Sequence, residues 1–190
     1  MQQDTIVQFV CFETSVEFDE FVPRWEYYAK RFASKDVEVT LQEQNNTKTR
    51  FKYVSQQKCP EDNFQFAFMK GRHSENFPDC NVKVFQAGGY LPVRHPSTFT
   101  LGNNDVRIMA FFPQGECPMD LNNQEASLRV NTYEAYFENC AFGTVMEFFV
   151  SENESVSLLE QLKAMPGVEA GIYKDCSIFQ PANKVADYAV

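Results

Sequence analysis

Histidine and tryptophan are scarce in this sequence: 190 residues hold two of the former, His73 and His95, and one of the latter, Trp25. Without a third histidine or a carboxylate at ligand spacing, a zinc site is not expected. The six cysteines (Cys11, Cys59, Cys80, Cys117, Cys140 and Cys176) form no Cys-x-x-Cys pair and are read as reduced thiols. No stretch approaches the roughly 18 to 20 apolar residues of a membrane span. No long basic run offsets a net charge of −9, set by 17 Lys and Arg against 26 Asp and Glu. Such a surface repels phosphate backbones and anionic lipid, so neither nucleic acid nor membrane is an expected partner. Met1-Gln2-Gln3-Asp4 lacks the basic and apolar regions of a signal peptide, and a cytoplasmic location is expected. Nucleotide-loop, Gly-x-Ser-x-Gly and His-Glu-x-x-His patterns are absent. Gly88-Gly89-Tyr90 reads as a strand-end bulge.

Aromatic residues, by contrast, are abundant: 19 Phe and 8 Tyr. They imply a large core, with surplus for a ligand pocket or an interface. Thr5–Phe12 is nearly continuous in apolar and β-favouring residues, which predicts a central strand. Thr14 and Glu17 suggest a capping box for a helix carrying Phe18, Phe21, Val22, Trp25, Ala29 and Phe32 on one face. Pro23 either kinks that helix or lies in its first turn. Val37–Gln44 and Thr49–Ser55 alternate around Asn45-Asn46, as a hairpin would. Cys59-Pro60-Glu61-Asp62 opens a second helix candidate, ended by Gly71, and Val82–Tyr90 is the next strand. After a Pro-, Ser-, Thr-, Gly- and Asn-rich stretch, strands are expected at 106–112, 128–137 and 144–150. A helix follows with Ser151 and Glu154 as capping box and Val156, Leu159 and Leu162 as apolar stripe. It stops at Met165-Pro166-Gly167, before a last strand from Val168. The second half shows only a short helix, or none, after Gly115.

The element order is therefore β-α-β-β-α-β, twice. The expected fold class is α+β: tandem ferredoxin-like units with antiparallel sheets. The first unit spans 1–92, a linker 93–104, the second unit 105–180 and a tail 181–190, with the two units packed as one body.

One segment carries a resemblance: Gly143-Thr-Val-Met-Glu-Phe-Phe-Val, the Leu158-Leu159 helix, then Met165-Pro-Gly-Val-Glu-Ala-Gly-Ile-Tyr173. It resembles a β-α-β segment of the dimeric α/β-barrel superfamily, which includes small monooxygenases and several haem-handling enzymes. The motif is structural and holds no catalytic residue, so it implies a fold and not an activity. The resemblance also implies a ligand cleft between a sheet and its helices.

Candidate site residues follow from residue chemistry. His73, beside Arg72, could act as a general base, since histidine titrates near neutrality. Tyr28 could reach a substrate from the first helix. Trp25, Tyr90 and His95 are the candidate ligand-binding residues. Three functions are weighed. The first is binding of a hydrophobic small molecule, extending to a cofactor-free oxygenase or isomerase on an aromatic substrate. The second is a non-enzymatic protein that self-associates, as a homodimer for example. The third is haem binding through His73 or His95; otherwise no cofactor is expected.

Overall fold

The computed structural model describes residues 5–33, 37–45, 49–60, 78–93, 99, 101–115, 129–138 and 140–179. Two α-helices and eight strands are assigned among them. In chain order these are β1 (Thr5–Thr14), α1 (Phe18–Ala33), β2 (Glu38–Gln44), β3 (Tyr53–Pro60), β4 (Val82–Pro92), β5 (Asp105–Pro113), β6 (Arg129–Ala135), β7 (Phe142–Ser151), α2 (Glu152–Ala164) and β8 (Glu169–Phe179). The hydrogen-bonded strand order is β4-β1-β3-β2 among the first four strands and β8-β5-β7-β6 among the last four. The chain forms two compact units, the first drawn from 1–43, 50–89 and 175–190 and the second from 44–49 and 90–174.

In the first unit β1 lies antiparallel to β3, with Gln8 opposite Gln57, Val10 opposite Ser55 and Phe12 opposite Tyr53. β2 pairs with the other edge of β3, Leu41 facing Ser55 and Glu43 facing Tyr53. Because side chains alternate along a strand, these pairings sort the sheet into two faces. One carries Ile6, Gln8, Val10 and Phe12 of β1 with Tyr53, Ser55, Gln57 and Cys59 of β3. α1 covers this face: Phe21 packs its ring 4.9 Å from Tyr53 and 5.8 Å from Phe12. Phe21, Trp25 and Ala29 are buried at four-residue intervals, the stripe expected from the sequence.

Three local expectations need correction here. Thr14 is the last residue of β1, not a helix cap: its hydroxyl accepts from Val16 N–H and donates to the Cys80 carbonyl. The first helical hydrogen bonds of α1 run instead to the Glu17 carbonyl, from Glu20 and Phe21. With α1 starting at Phe18, Pro23 lies just past its first turn and inside the helix. Cys59 and Pro60 end β3 rather than open a helix. Pro60 is tolerated because it is the terminal residue of the strand, paired with Thr5, where a missing N–H costs least. β3 also starts at Tyr53, so the hairpin connection from β2 is longer than Asn45-Asn46 suggests. The helix expected over 61–71 and the element after Gly115 fall outside the described residues.

The second unit is built on β5, paired antiparallel with β7 on one side and β8 on the other, while β6 flanks β7. Ile108, Ala110, Phe112, Val130, Met146, Phe148, Val150 and Ala170 share a face and form one core cluster with Leu162 of α2. Leu158 and Leu159 pack against it. The Ser151–Glu154 capping box is present, the Ser151 N–H donating to the Glu154 carboxylate at 3.2 Å. Val156 does not join the stripe; it is exposed, and Ser155 takes the buried position. Ser155 and Leu162 lie seven residues apart, two turns, whereas Val156 is rotated by a further 100°. The helix ends at Ala164, just before Pro166-Gly167, and Gly167 adopts a φ of +72 that suits glycine.

Candidate functional site

The two helix-covered sheet faces differ in kind. Beneath α2 an apolar cluster packs the sheet, and the hydroxyl of the buried Ser155 of that helix donates to the Glu152 carbonyl at 2.7 Å. Beneath α1 the sheet carries Gln8, Tyr53, Ser55 and Gln57, each at most 1% exposed. Gln8 Oε1, Gln57 Oε1, Ser55 Oγ and the Tyr53 hydroxyl have no hydrogen-bond partner among the described residues. A buried polar atom left without a partner costs about 1 to 3 kcal/mol, and folded proteins pair nearly all of them. Four such atoms on one face therefore call for an explanation other than packing.

The local sequence places them there. Tyr53, Ser55 and Gln57 alternate along β3, so all three project from the same side. Gln8 interrupts the apolar run of β1 at the position directly opposite Gln57. Around them stand Ile6, Val10, Phe12 and Leu41, all buried. The surface is an apolar wall with a short row of polar groups, the usual make-up of a small-molecule site.

Burial keeps the phenol and the thiol on this face protonated. Burial pushes the Tyr53 phenol well above its ordinary pKa, and the nearby acids Glu43 and Glu17 and the Cys176 thiol add to that. Burial likewise pushes the Cys59 thiol up to about 11; this thiol lies 3.5 Å from the Ile6 carbonyl. Both groups are thus neutral at physiological pH.

On the flank of α1 lies a pocket of about 290 Å³ lined by Pro23, Arg24, Tyr27, Tyr28, Asp79 and Cys80. Arg24 is tied by its guanidinium to the Asp79 carbonyl at 3.0 Å and to the Glu20 carboxylate at 3.4 Å. Tyr27 and Tyr28 meet edge to face, 5.3 Å between ring centroids. Tyr28, singled out from the sequence, lines this pocket. Trp25 points the other way: it is buried, its ring 6.1 Å from Phe179. Tyr90 belongs to the second unit, where its hydroxyl donates to the Phe142 carbonyl at 3.1 Å. The structure therefore puts Trp25 and Tyr28 on one helix and Tyr90 in a different unit. Arg72, His73 and His95 lie outside the described residues.

Sequence reasoning passed over Gln8, Tyr53, Ser55 and Gln57. The available signal was small: one glutamine inside an apolar strand, and polar residues at alternate positions of the next. The second unit holds a further buried polar group, Glu147, which accepts from the Tyr133 hydroxyl at 2.7 Å and lies 4.0 Å from Arg107 Nε. That pairing gives it a structural role.

Among the described residues no three His, Cys, Asp or Glu are placed to hold a metal ion. Haem is a poor fit for the face beneath α1 as described. It offers no imidazole, and its phenol and thiol are held protonated, whereas an axial ligand from either would be the anion. No helix among the described residues is long and apolar enough to cross a membrane.

No protein-family model matches the chain, and no curated protein matches it. Solved structures do. The chain is similar to an anthrone oxidase-like protein, with 8% sequence identity, a TM-score of 0.57 and 93% of each chain covered. It is similar to a mutant chlorite dismutase from Candidatus Nitrospira defluvii, with 9% identity and a TM-score of 0.55 over 92% of this chain and 93% of that one. It is also similar to a candidate monooxygenase from Lactobacillus acidophilus NCFM, with 8% identity and a TM-score of 0.50 over 94% and 97% of the two chains. These proteins belong to the dimeric α/β-barrel superfamily. At such identities the likeness is one of fold alone.

Proposed function

We propose that this protein binds a small, largely apolar molecule against the α1-facing sheet of its first unit. The observation that carries this reading is the set of four buried polar atoms on Gln8, Tyr53, Ser55 and Gln57 that have no partner among the described residues. A ligand supplying their hydrogen bonds would offset the cost of burying them. The neighbouring fold, which supports oxygenase-type proteins, agrees with the same reading. On this view the two units are tandem ferredoxin-like repeats. Each set of four strands taken in chain order, β1 to β4 and β5 to β8, is arranged fourth-first-third-second. Only the first has a helix-covered face suited to a ligand.

The finer activity we assign is that of a cofactor-free oxygenase or isomerase acting on a hydrophobic, aromatic substrate. Arg72 and His73 are its candidate acid–base residues on sequence grounds, and Tyr28 its candidate substrate contact.

Hydrogen exchange with 1-naphthol as probe tests the binding site. Added protection is expected at β1, β3 and α1. No protection, or protection confined to the second unit, would refute the assignment. Oxygen uptake with a hydroxylated aromatic substrate in chelator-treated buffer tests the activity, and His73→Ala should abolish it. A wild-type protein that takes up no oxygen and isomerises nothing leaves a binding protein and removes the enzyme.

A further inference from the structure

The hydrogen-bonding inventory of the face beneath α1 says more than that something binds there. Its unpartnered atoms are two amide oxygens, which can only accept, and two hydroxyls, which can do either. The amide oxygens belong to Gln8 and Gln57, opposite one another across β1 and β3, so their Cα atoms lie about 4.5 to 5.5 Å apart. The hydroxyls follow along β3 at Ser55 and Tyr53, each step of two residues spanning roughly 6.6 Å. Acceptors thus cluster at one end, and a partner for them must donate.

Charge narrows the class further. The strand positions on this face are Ile6, Gln8, Val10 and Phe12 on β1, Tyr53, Ser55, Gln57 and Cys59 on β3, and Val39, Leu41 and Glu43 on β2. They include one acid, Glu43, and no Lys or Arg. Lys58 projects from the opposite face, paired with Glu38 at 3.1 Å. The Lys52 ammonium sits over the Tyr53 ring, 5.4 Å from its centroid, rather than at its hydroxyl. An anion brought onto this face would be stripped of water without a cation from these strand positions to receive it, which is costly.

We infer that the face formed by Gln8, Tyr53, Ser55 and Gln57 selects an uncharged ligand that donates hydrogen bonds, and rejects carboxylated or phosphorylated ones. This rests on the binding reading above and adds the polarity and charge of the ligand. Buried acceptors discriminate strongly because an analogue lacking the donor leaves them unpaired. The same atoms have a second signature: since they weigh against folding when unfilled, removing them should cost binding while raising the melting temperature of the free protein.

Calorimetric titration with three probes of one shape tests this: 2-naphthol, 2-methoxynaphthalene and 2-naphthoate, at neutral pH. 2-Naphthol is expected to bind at least about tenfold more tightly than its methyl ether, and the carboxylate not to bind. In Gln57→Leu the preference for the hydroxyl should shrink toward parity; Ser55→Ala, the smaller change, should move it in the same direction. Equal binding of the methyl ether, or tighter binding of the carboxylate, overturns the inference and leaves the binding site standing. Silence from all three probes overturns both.

Discussion

The Tyr53 hydroxyl and the Ser55 hydroxyl are buried without a partner among the described residues, so deleting them should stabilise the protein. This reverses the ordinary expectation. A buried tyrosine hydroxyl is usually hydrogen-bonded, and its removal usually costs about 1 kcal/mol. Here Tyr53→Phe keeps the ring and its contacts with Phe12 and Phe21. It removes only an oxygen whose desolvation opposes folding by about 1 to 3 kcal/mol. The small void left behind returns part of that gain. A net stabilisation of about 1 kcal/mol is expected, and a similar one for Ser55→Ala. In a chain of this length each kcal/mol shifts the melting temperature by roughly 2 to 4 °C. The two sites lie two residues apart on one strand, so the double variant need not give the sum. Urea unfolding read by midpoint and slope, alongside melting temperature, measures the effect. A stability loss of about 1 kcal/mol or more at unchanged slope, in either variant, would refute the reasoning, because it would mean that the hydroxyl is satisfied. A ligand then reverses the ranking. At a hundred times its dissociation constant it adds about 2.7 kcal/mol to the wild type, and less to a variant that binds it poorly.

Other outcomes follow from the same geometry. Gly167→Ala should destabilise by at least about 1 to 2 kcal/mol, since a left-handed residue gains a side chain whose Cβ would lie 2.8 Å from Pro113 Cγ; a melting temperature equal to wild type would contradict this. Cys59, buried and with its thiol pushed up to about 11, should resist iodoacetamide at pH 8 until the protein unfolds; mass spectrometry of the folded protein showing rapid Cys59 alkylation would count against the burial. Asp105 has its carboxyl pKa lowered by the Gly102 N–H and by Arg129, so its folded value lies below its unfolded one. Its contribution is therefore present above about pH 4 and lost as pH falls through the folded pKa. Asp105→Asn should lower the melting temperature at pH 7 and converge on wild type in acid; a difference that persists undiminished at low pH would rule out the charge as its source.

Much of the fold was legible in sequence because local signals and global packing agreed. The Ser151–Glu154 box, the Pro166-Gly167 stop and the apolar strands on either side each specify one element without reference to the rest. Where local signals misled, a long-range partner outweighed them. Thr14 resembles a cap by spacing, yet its hydroxyl is claimed by Val16 and by Cys80, 66 residues away. Cys59-Pro60 resembles a helix start, yet pairing with Thr5 and Ile6 extends β3 to that point. Val156 has the composition of a core residue but the wrong helical phase.

The candidate site marks the limit more clearly. Alternation along 53–59 fixes which residues share a face of one strand, and that much is a property of the sequence. That Gln8 stands opposite Gln57 depends on strand register, which is set by the whole β1–β3 ladder. That α1 closes over this face, and not the other, depends on Phe21 packing against Phe12 and Tyr53. A glutamine in a strand reads as a solvent-facing residue until burial and partners are known. By itself the sequence determined the eight strands, the two described α-helices, their order and the α+β class, because these follow from periodicity and turn chemistry. Only the tertiary structure decided that the face beneath α1 would bury Gln8, Tyr53, Ser55 and Gln57 with polar atoms left without partners among the described residues, because hydrogen-bond satisfaction is a relation between residues far apart in the chain.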